Sequence, residues 1–171
     1  MKVLAFGASS SEQSINKALA SYTASLIEGA SVTVLDLNDF AMPIFSENRE
    51  KEFGIPEEAQ SFIDEIADAD LIVVSFAEHN GSYSAAYKNT FDWASRLVKK
   101  VYQNKSVIVL STSPGPGGAQ NVLNLALNNL PFFDANVLGS LSVPSFYEVM
   151  KEGEILDASV KQSLLDLIAK A

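Results

Sequence analysis

Leu71-Ile-Val-Val-Ser75, running into Phe76-Ala-Glu-His-Asn-Gly-Ser-Tyr83, decides the fold class. The first five residues are apolar and rich in β-branched side chains, closing on Ser75. That is the pattern of a strand covered on both faces. The next eight turn polar and small, with Asn80-Gly81 at the turn, and a helical pattern follows from about Ser84 to Lys99. A buried parallel strand that opens into a polar loop at its carboxyl end is where an open α/β sheet receives a ligand. This loop also carries the chain's one histidine, His79.

The same alternation repeats on either side. Upstream, Val3-Leu-Ala-Phe6 reads as a strand and Gly7-Ala-Ser-Ser-Ser-Glu-Gln-Ser14 as a hydroxyl-rich loop. A helix follows with Ile15, Leu19, Tyr22 and Leu26 on one face, Ser14 as its N-cap and Gly29 as its stop. Val32-Thr-Val-Leu35 is a second strand. From Leu37 to Ile55 the pattern predicts a long irregular connection, with Glu47, Glu50 and Glu52 on a charged surface loop. Pro56-Glu-Glu opens a helix whose inner face is Ala59, Phe62, Ile63 and Ile66. Downstream, Val107-Ile-Val-Leu110 leads into the glycine-rich Ser111-Thr-Ser-Pro-Gly-Pro-Gly-Gly118. A helix from Ala119 to Leu130, a strand over Asn136-Val-Leu-Gly-Ser-Leu141 and a helix from Asp157 to Ala171 complete the chain.

Strand and helix therefore alternate five times within one domain, residues 1–171. That predicts a three-layer α/β sandwich, a five-stranded parallel sheet with right-handed crossovers. The flavodoxin-like order 2-1-3-4-5 suits it and makes strands 1, 3 and 4 central, so their polar exit loops converge at one edge. Two helices carry apolar residues on more than one side: Tyr87, Phe91, Ala94 and Val98 against Ala86, Trp93 and Leu97, and the leucine-rich stretch Val122 to Leu127. Such helices need a second cover beyond their own sheet.

Composition narrows the function classes. With 47% apolar and 19% charged residues, the 171-residue chain has the makeup of a globular domain. It has no cysteine, which removes disulfides, thiolate nucleophiles and Cys-metal sites. A single histidine without a ligand cluster gives metal binding no support. A net charge of −9, from 12 basic and 21 acidic residues, argues against nucleic acid. No apolar run has the roughly 18–20 residues of a membrane span, and Met1-Lys2 leads straight into a strand rather than a signal peptide. A cytoplasmic location is expected.

The three loops offer distinct chemistry. Ser9, Ser10, Ser11 and Ser14 with the amides of a helix N-terminus offer a phosphate cradle that needs no lysine, with a merely polar helix cap as the alternative. The loop is neither G-x-x-x-x-G-K-[ST] nor G-x-G-x-x-G, which disfavours a nucleotide triphosphatase or an ordinary dinucleotide fold. Gly115, Gly117 and Gly118, restrained by Pro114 and Pro116, read alone as an ordinary strand-to-helix turn or as a loop whose backbone can approach a flat ligand. The middle loop offers Glu78, His79, Asn80, Gly81 and Ser82, and its backbone amides can face a ring system lying across the sheet edge. His79 is a candidate acid/base, with a ring wall as the alternative, because no carboxylate partner is placed beside it.

These loops resemble the NAD(P)H-dependent FMN reductase family of flavodoxin-like enzymes, which includes quinone, azo-dye and chromate reductases. The resemblance covers nearly the whole chain. Its most specific part is Glu78-His79-Asn80-Gly81-Ser82-Tyr83 with Lys88-Asn89 and Asp92-Trp93, against the family pattern P-E-Y-N-x-S-x-P-x-x-L-K-N-x-x-D-W. Here Ala77 replaces the proline, His79 the tyrosine and Tyr87 the leucine. Gly7 to Asn16 is similar to the family's G-S-x-R-x-x-S-x-N, about one residue different in length and without the arginine. The resemblance implies non-covalent FMN, its phosphate on Ser9, Ser11, Ser14 and Asn16. Its ring would lie between Glu78, His79, Asn80 and Gly81 on one side and Ser113, Gly115 and Gly117 on the other. It also implies hydride from NADPH or NADH and delivery to a quinone, a free flavin, an azo compound or a similar acceptor. No side chain is expected to act as nucleophile, since the cofactor carries the chemistry. Family members pair the helices that here run from Tyr83 to Lys99 and Ala119 to Leu130, so a homodimer or homotetramer is expected. A flavodoxin-type electron carrier is the competing class, though the first loop lacks T-x-T-G-x-T. A response-regulator receiver would need acidic residues where Gly7-Ala8-Ser9 stand.

Overall fold

The computed structural model describes residues 1–171. The elements in order are β1 (Lys2–Ala8), α1 (Ile15–Ser25), β2 (Ser31–Leu35), α2 (Glu47–Phe53), α3 (Glu57–Asp68) and β3 (Leu71–Phe76). A hairpin follows, β4 (Glu78–His79) and β5 (Ser82–Tyr83), then α4 (Ala85–Leu97), β6 (Ser106–Thr112), α5 (Gln120–Asn129) and β7 (Asn136–Val143). The chain ends with α6 (Phe146–Val149), a second hairpin of β8 (Met150–Lys151) and β9 (Glu154–Ile155), and α7 (Ala158–Ile168).

The sheet runs β2-β1-β3-β6-β7 with every pair parallel. This is the expected order 2-1-3-4-5 once the hairpin strands are left uncounted. The register sets the functional edge: Ala8 pairs with Phe76 and Phe76 with Ser111, so β1, β3 and β6 end level. Alternate residues face two cores, which is why the strands read as unbroken apolar runs. Leu4, Phe6, Ile72, Val74, Val107 and Val109 face the α3, α4 and α5 side. Val3, Ala5, Leu71, Val73, Ile108 and Leu110 face α1 and α7. Val32 and Val34 on the edge strand β2 stay exposed.

The 37–55 connection departs from the expected irregular loop. It holds a 3-10 turn (Leu37–Phe40) and α2, whose N-cap Ser46 accepts a hydrogen bond from the Arg49 amide. No residue of α2 is buried, so no apolar stripe marked it. Glu47 and Glu50 favour its first turn through the helix dipole.

This connection also covers the second apolar side of α4. Asn89 Nδ2 donates to the carbonyls of Met42 (3.0 Å) and Pro43 (3.2 Å), and its Oδ1 accepts from the Phe45 amide (2.9 Å). Trp93 Nε1 donates to the Pro43 carbonyl at 2.7 Å, and the Phe45 ring meets the indole edge-on at 5.0 Å. Arg96 Nε donates to both Glu50 carboxylate oxygens at 3.0 Å. Trp93, 1% exposed, is thus buried by its own chain and not by a partner. Asn89→Ala strips three bonds from the strap and should cost about 1–3 kcal/mol in urea unfolding. A glutamate-specific protease should then cut the variant at Glu47, Glu50 or Glu52 well before the wild type. Equal cleavage rates would mean that the strap is held by other contacts.

Candidate functional site

The first loop is placed by a close approach. A Cβ on Gly7 would stand 2.3 Å from the Lys17 amide nitrogen, so only glycine lets α1 start directly over the end of β1. Ser14 caps α1, its Oγ accepting from the Lys17 amide at 3.1 Å. Ser9 Oγ accepts from the Ser11 amide at 3.2 Å. The amides of Ile15 and Asn16, in the first turn of α1, find no acceptor in the chain.

Asn16 is buried, and its side chain is spent inside the fold. Oδ1 accepts from Ser75 Oγ (2.7 Å) and from the Thr112 amide (3.2 Å), while Nδ2 donates to the Thr112 carbonyl (3.4 Å). One amide group therefore joins α1, β3 and β6 at the rim. Ser84 makes a second joint: its hydroxyl donates to the Ala8 carbonyl at 2.8 Å and also caps α4.

The middle loop is a two-residue hairpin rather than an open loop. Asn80 and Gly81 have φ of 53° and 77°, the left-handed pair of a type I′ turn. Glu78 anchors it, its carboxylate accepting from Asn121 Nδ2 (3.1 Å) and the Val122 amide (3.0 Å) at the start of α5. His79 is exposed and makes no side-chain hydrogen bond. With Glu78 occupied, it has no carboxylate partner.

The third loop is tied to the exit of β7. Ser113 Oγ donates to the Gly115 carbonyl (3.0 Å), the Ser145 amide donates to Gly115 (2.9 Å) and the Phe146 amide to Ser113 (3.0 Å). Gly115 and Gly117 have open space where a Cβ would stand. The glycine under geometric demand is Gly118, with φ of 58° and a Cβ position only 2.2 Å from Ser142 Oγ.

Together these loops enclose a cleft of about 280 Å³. Ser9, Ser11, Ser14, Asn16, Glu78, His79 and Ser113 line it; Asn80, Gly81, Gly115 and Gly117 lie outside its wall. Gln13, Ile15, Ala77, Thr112 and Tyr147 also line it and were not named as site residues from sequence; Pro114, read there as a restraint on the third loop, lines it too. Tyr147 follows the fifth strand, whose exit opens at the same edge, so the topology rule that found three loops could have found a fourth. No lysine or arginine lines the cleft. Lys17, one turn into α1, is held by Asp36, and that contact keeps the Asp36 carboxyl below the usual aspartate range, helped by the Asn38 amide.

The buried hydroxyls carry the clearest signal. Thr23, Ser75, Ser84, Thr90, Ser111 and Thr112 each donate to an oxygen of the chain. Ser9 and Ser14, 6% and 9% exposed, only accept, so their protons have no internal acceptor. Both face the cleft, beside the two unpaired amides. Four neutral donors at a helix N-terminus suit an anionic oxygen cluster such as a phosphate. No group of three His, Cys, Asp or Glu residues stands close enough to hold a metal.

Residues 1–148 match the model of the NADPH-dependent FMN reductase family. The chain belongs to this family. An NADPH:quinone oxidoreductase of Arabidopsis thaliana is 27% identical over 151 residues, covering 83% of this chain and 73% of that one. A quinone reductase of Escherichia coli K12 is 29% identical over 140 residues, covering 75% and 74%. Among solved structures, the flavoenzyme NAD(P)H:(acceptor) oxidoreductase FerB of Paracoccus denitrificans superposes with a TM-score of 0.77. It is 24% identical, with 98% of this chain and 93% of that chain covered, and so speaks for the fold. As a member of the NADPH-dependent FMN reductase family, the protein is a flavin oxidoreductase that uses FMN with NAD(P)H as hydride donor. Its buried, unpaired donors at the start of α1 fit the phosphate of that cofactor without help from a cation.

Asn16→Ala should lower stability by about 2–4 kcal/mol, because Ser75 Oγ and the Thr112 amide lose their partner in a buried place. Denaturant titration of the cofactor-free protein checks this. A loss under ~0.5 kcal/mol would show that the joint is dispensable.

Proposed function

We propose that this single domain, residues 1–171, oxidises NADH or NADPH through FMN seated in the cleft and reduces a quinone or another small oxidised acceptor. The observation that carries the reading is the pair of buried hydroxyls, Ser9 and Ser14, aimed into the cleft with no acceptor of their own. The relatives named for quinone reduction support the acceptor class.

In this reading Ser9, Ser11 and Ser14 donate to the phosphate, together with the backbone amides of Ile15 and Asn16. The Asn16 side chain contributes by holding the rim level. The Glu78–Gly81 backbone forms one wall for the ring, and the Ser113, Gly115 and Gly117 loop forms the other. Glu78 keeps its wall fixed by resting its carboxylate on the N-terminus of α5, a favourable place for negative charge. When bound, FMN supplies the hydride-accepting and electron-delivering chemistry. The side chains bind and orient. His79 borders the ring as a wall, since nothing beside it would hold or return a proton.

The expected assembly is a dimer or tetramer through the Tyr83–Phe91 side of α4 and the end of α5. An aromatic cavity of about 230 Å³ lies there between Tyr83, Tyr87, Phe91, Leu130 and Phe133, next to Phe132, which is 74% exposed. Strapping of Trp93 by residues 42–45 leaves this side as the apolar face in need of cover. The location that goes with reduced nicotinamide donors is the cytoplasm.

The test is flavin titration followed by reduction. The purified protein should take up FMN at micromolar concentration, and either NADPH or NADH should bleach the bound flavin in an anaerobic stopped-flow trace. An electron carrier would bind FMN and stay yellow; a protein that takes up no flavin overturns the reading. Ser9→Ala combined with Ser14→Ala should weaken FMN by roughly 10–100-fold and leave riboflavin nearly unaffected. His79→Ala should keep FMN binding within about threefold of wild type. Loss of turnover with flavin retained in that variant would make His79 a catalytic acid instead.

A further inference from the structure

Tyr147 stands 63% exposed at the rim, on a turn tied down on its N-terminal side. Its ring meets Phe146 edge-on at 5.4 Å, and Phe146 is buried in the core beneath α1 and α7. The backbone before it is held by the Ser145 and Phe146 amides on the third loop. Ser145 itself has φ of 50°, a left-handed conformation that a serine adopts only where its surroundings impose it. An exposed aromatic ring carried on a strained and tethered turn calls for a reason beyond packing.

Its position supplies one. Tyr147 lines the cleft and also a neighbouring groove of about 380 Å³ along α1. Both depressions share Gln13, Ser14 and Ile15, the residues that open α1. Tyr147 therefore sits with Gln13, Ser14 and Ile15 on the rim that the two depressions share, at the end of the cleft that holds the unpaired donors. That cradle contains no cation. Neutral hydroxyl and amide donors hold an anion weakly in water and much better where water is kept away. Excluding solvent is the lever left to a site without lysine or arginine.

We propose that Tyr147 is the outer wall of the phosphate end of the cleft, a ring that shields the phosphate from water and slows its departure. The inference rests on the flavin reading of the cleft and adds a positioning residue to it. It separates FMN from riboflavin, because only the former carries the group that the wall protects.

Fluorescence titration of the cofactor-free protein with FMN and with riboflavin tests this, with dissociation followed by stopped-flow displacement, for wild type, Tyr147→Ala and Tyr147→Phe. Tyr147→Ala should weaken FMN roughly tenfold, mainly through faster dissociation, and shift riboflavin by less than about twofold. Tyr147→Phe should restore FMN affinity to within about twofold of wild type. Thermal unfolding of the cofactor-free variants should match wild type, since the side chain is mostly exposed. The proposal is overturned if Tyr147→Ala leaves FMN unchanged or weakens both flavins equally. It is also overturned if Tyr147→Phe is as weak as Tyr147→Ala, which would place the effect in the hydroxyl. A wild type that binds riboflavin and FMN alike would sink the phosphate-cradle reading itself, and one that binds neither would sink the flavin reading.

Discussion

A buried carboxamide at the rim of the sheet is the joint on which the site depends. Asn16 bridges the start of α1 to Ser75 at the end of β3 and to Thr112 at the end of β6. Without such a bridge, three loops leaving three strands would be free to settle at different heights. With it, the helix N-terminus is held over the sheet edge and the amides of Ile15 and Asn16 stay unpaired at one spot. Gly7 makes the bridge possible, because any side chain there would push α1 off the strand. Asn16, a buried polar side chain in the cleft wall, therefore serves architecture, and the hydroxyls of Ser9 and Ser14 are the ones left free to bind. Being buried near a ligand and touching that ligand are different roles, and hydrogen-bond accounting separates them.

Much of this was legible in the sequence, for physical reasons. Strands covered on both faces must be apolar throughout, so Leu71 to Val74 and Val107 to Leu110 could be read directly. Parallel order and the location of the ligand edge then follow from connection rules rather than from residues. The missed elements leave little periodic record. α2 has no buried residue, so no stripe marks it. β8 and β9 bury Met150 and Ile155, but two residues each are too few to show alternation. The hairpin at Asn80-Gly81 was visible as a turn but not as paired strands, because four residues are too few to show alternation. Asn16 could be marked as a site residue from its place in a motif. That its amide faces inward required Ser75 and Thr112, which lie 59 and 96 residues away in the chain.

The two apolar sides of α4 show how a correct premise can have two answers. A helix with Trp93 on one side and Tyr87 and Phe91 on another does need two covers. Half of that need is met internally: Asn89 and Trp93 reach the backbone carbonyls of Met42 and Pro43, and Phe45 packs on the indole. The Asn89 and Trp93 positions of the family-like motif thus work as clamps on a crossover segment, some distance from the hairpin that opens the same motif. Residues adjacent in a motif need not share a task. What is left only partly covered is the aromatic side formed by Tyr83, Phe91 and Phe133, which line a cavity open to the surface.

The absence of a cation from the cleft changes how an anion would have to be held. In a site with an arginine, charge attracts the phosphate from a distance and survives partial wetting. Here the one nearby lysine is taken by Asp36, and Glu78 brings negative charge that is offset by the dipole of α5 and the Asn121 amide rather than by a cation. The net charge of −9 adds a field that opposes the approach of any anion. Holding must then come from the number and geometry of neutral donors and from dryness. Such a site gains little from long-range steering and depends on short-range fit. Small changes in the rim, where the Ser145 and Phe146 amides tie the turn to the third loop, would therefore matter more than they would beside a lysine or an arginine.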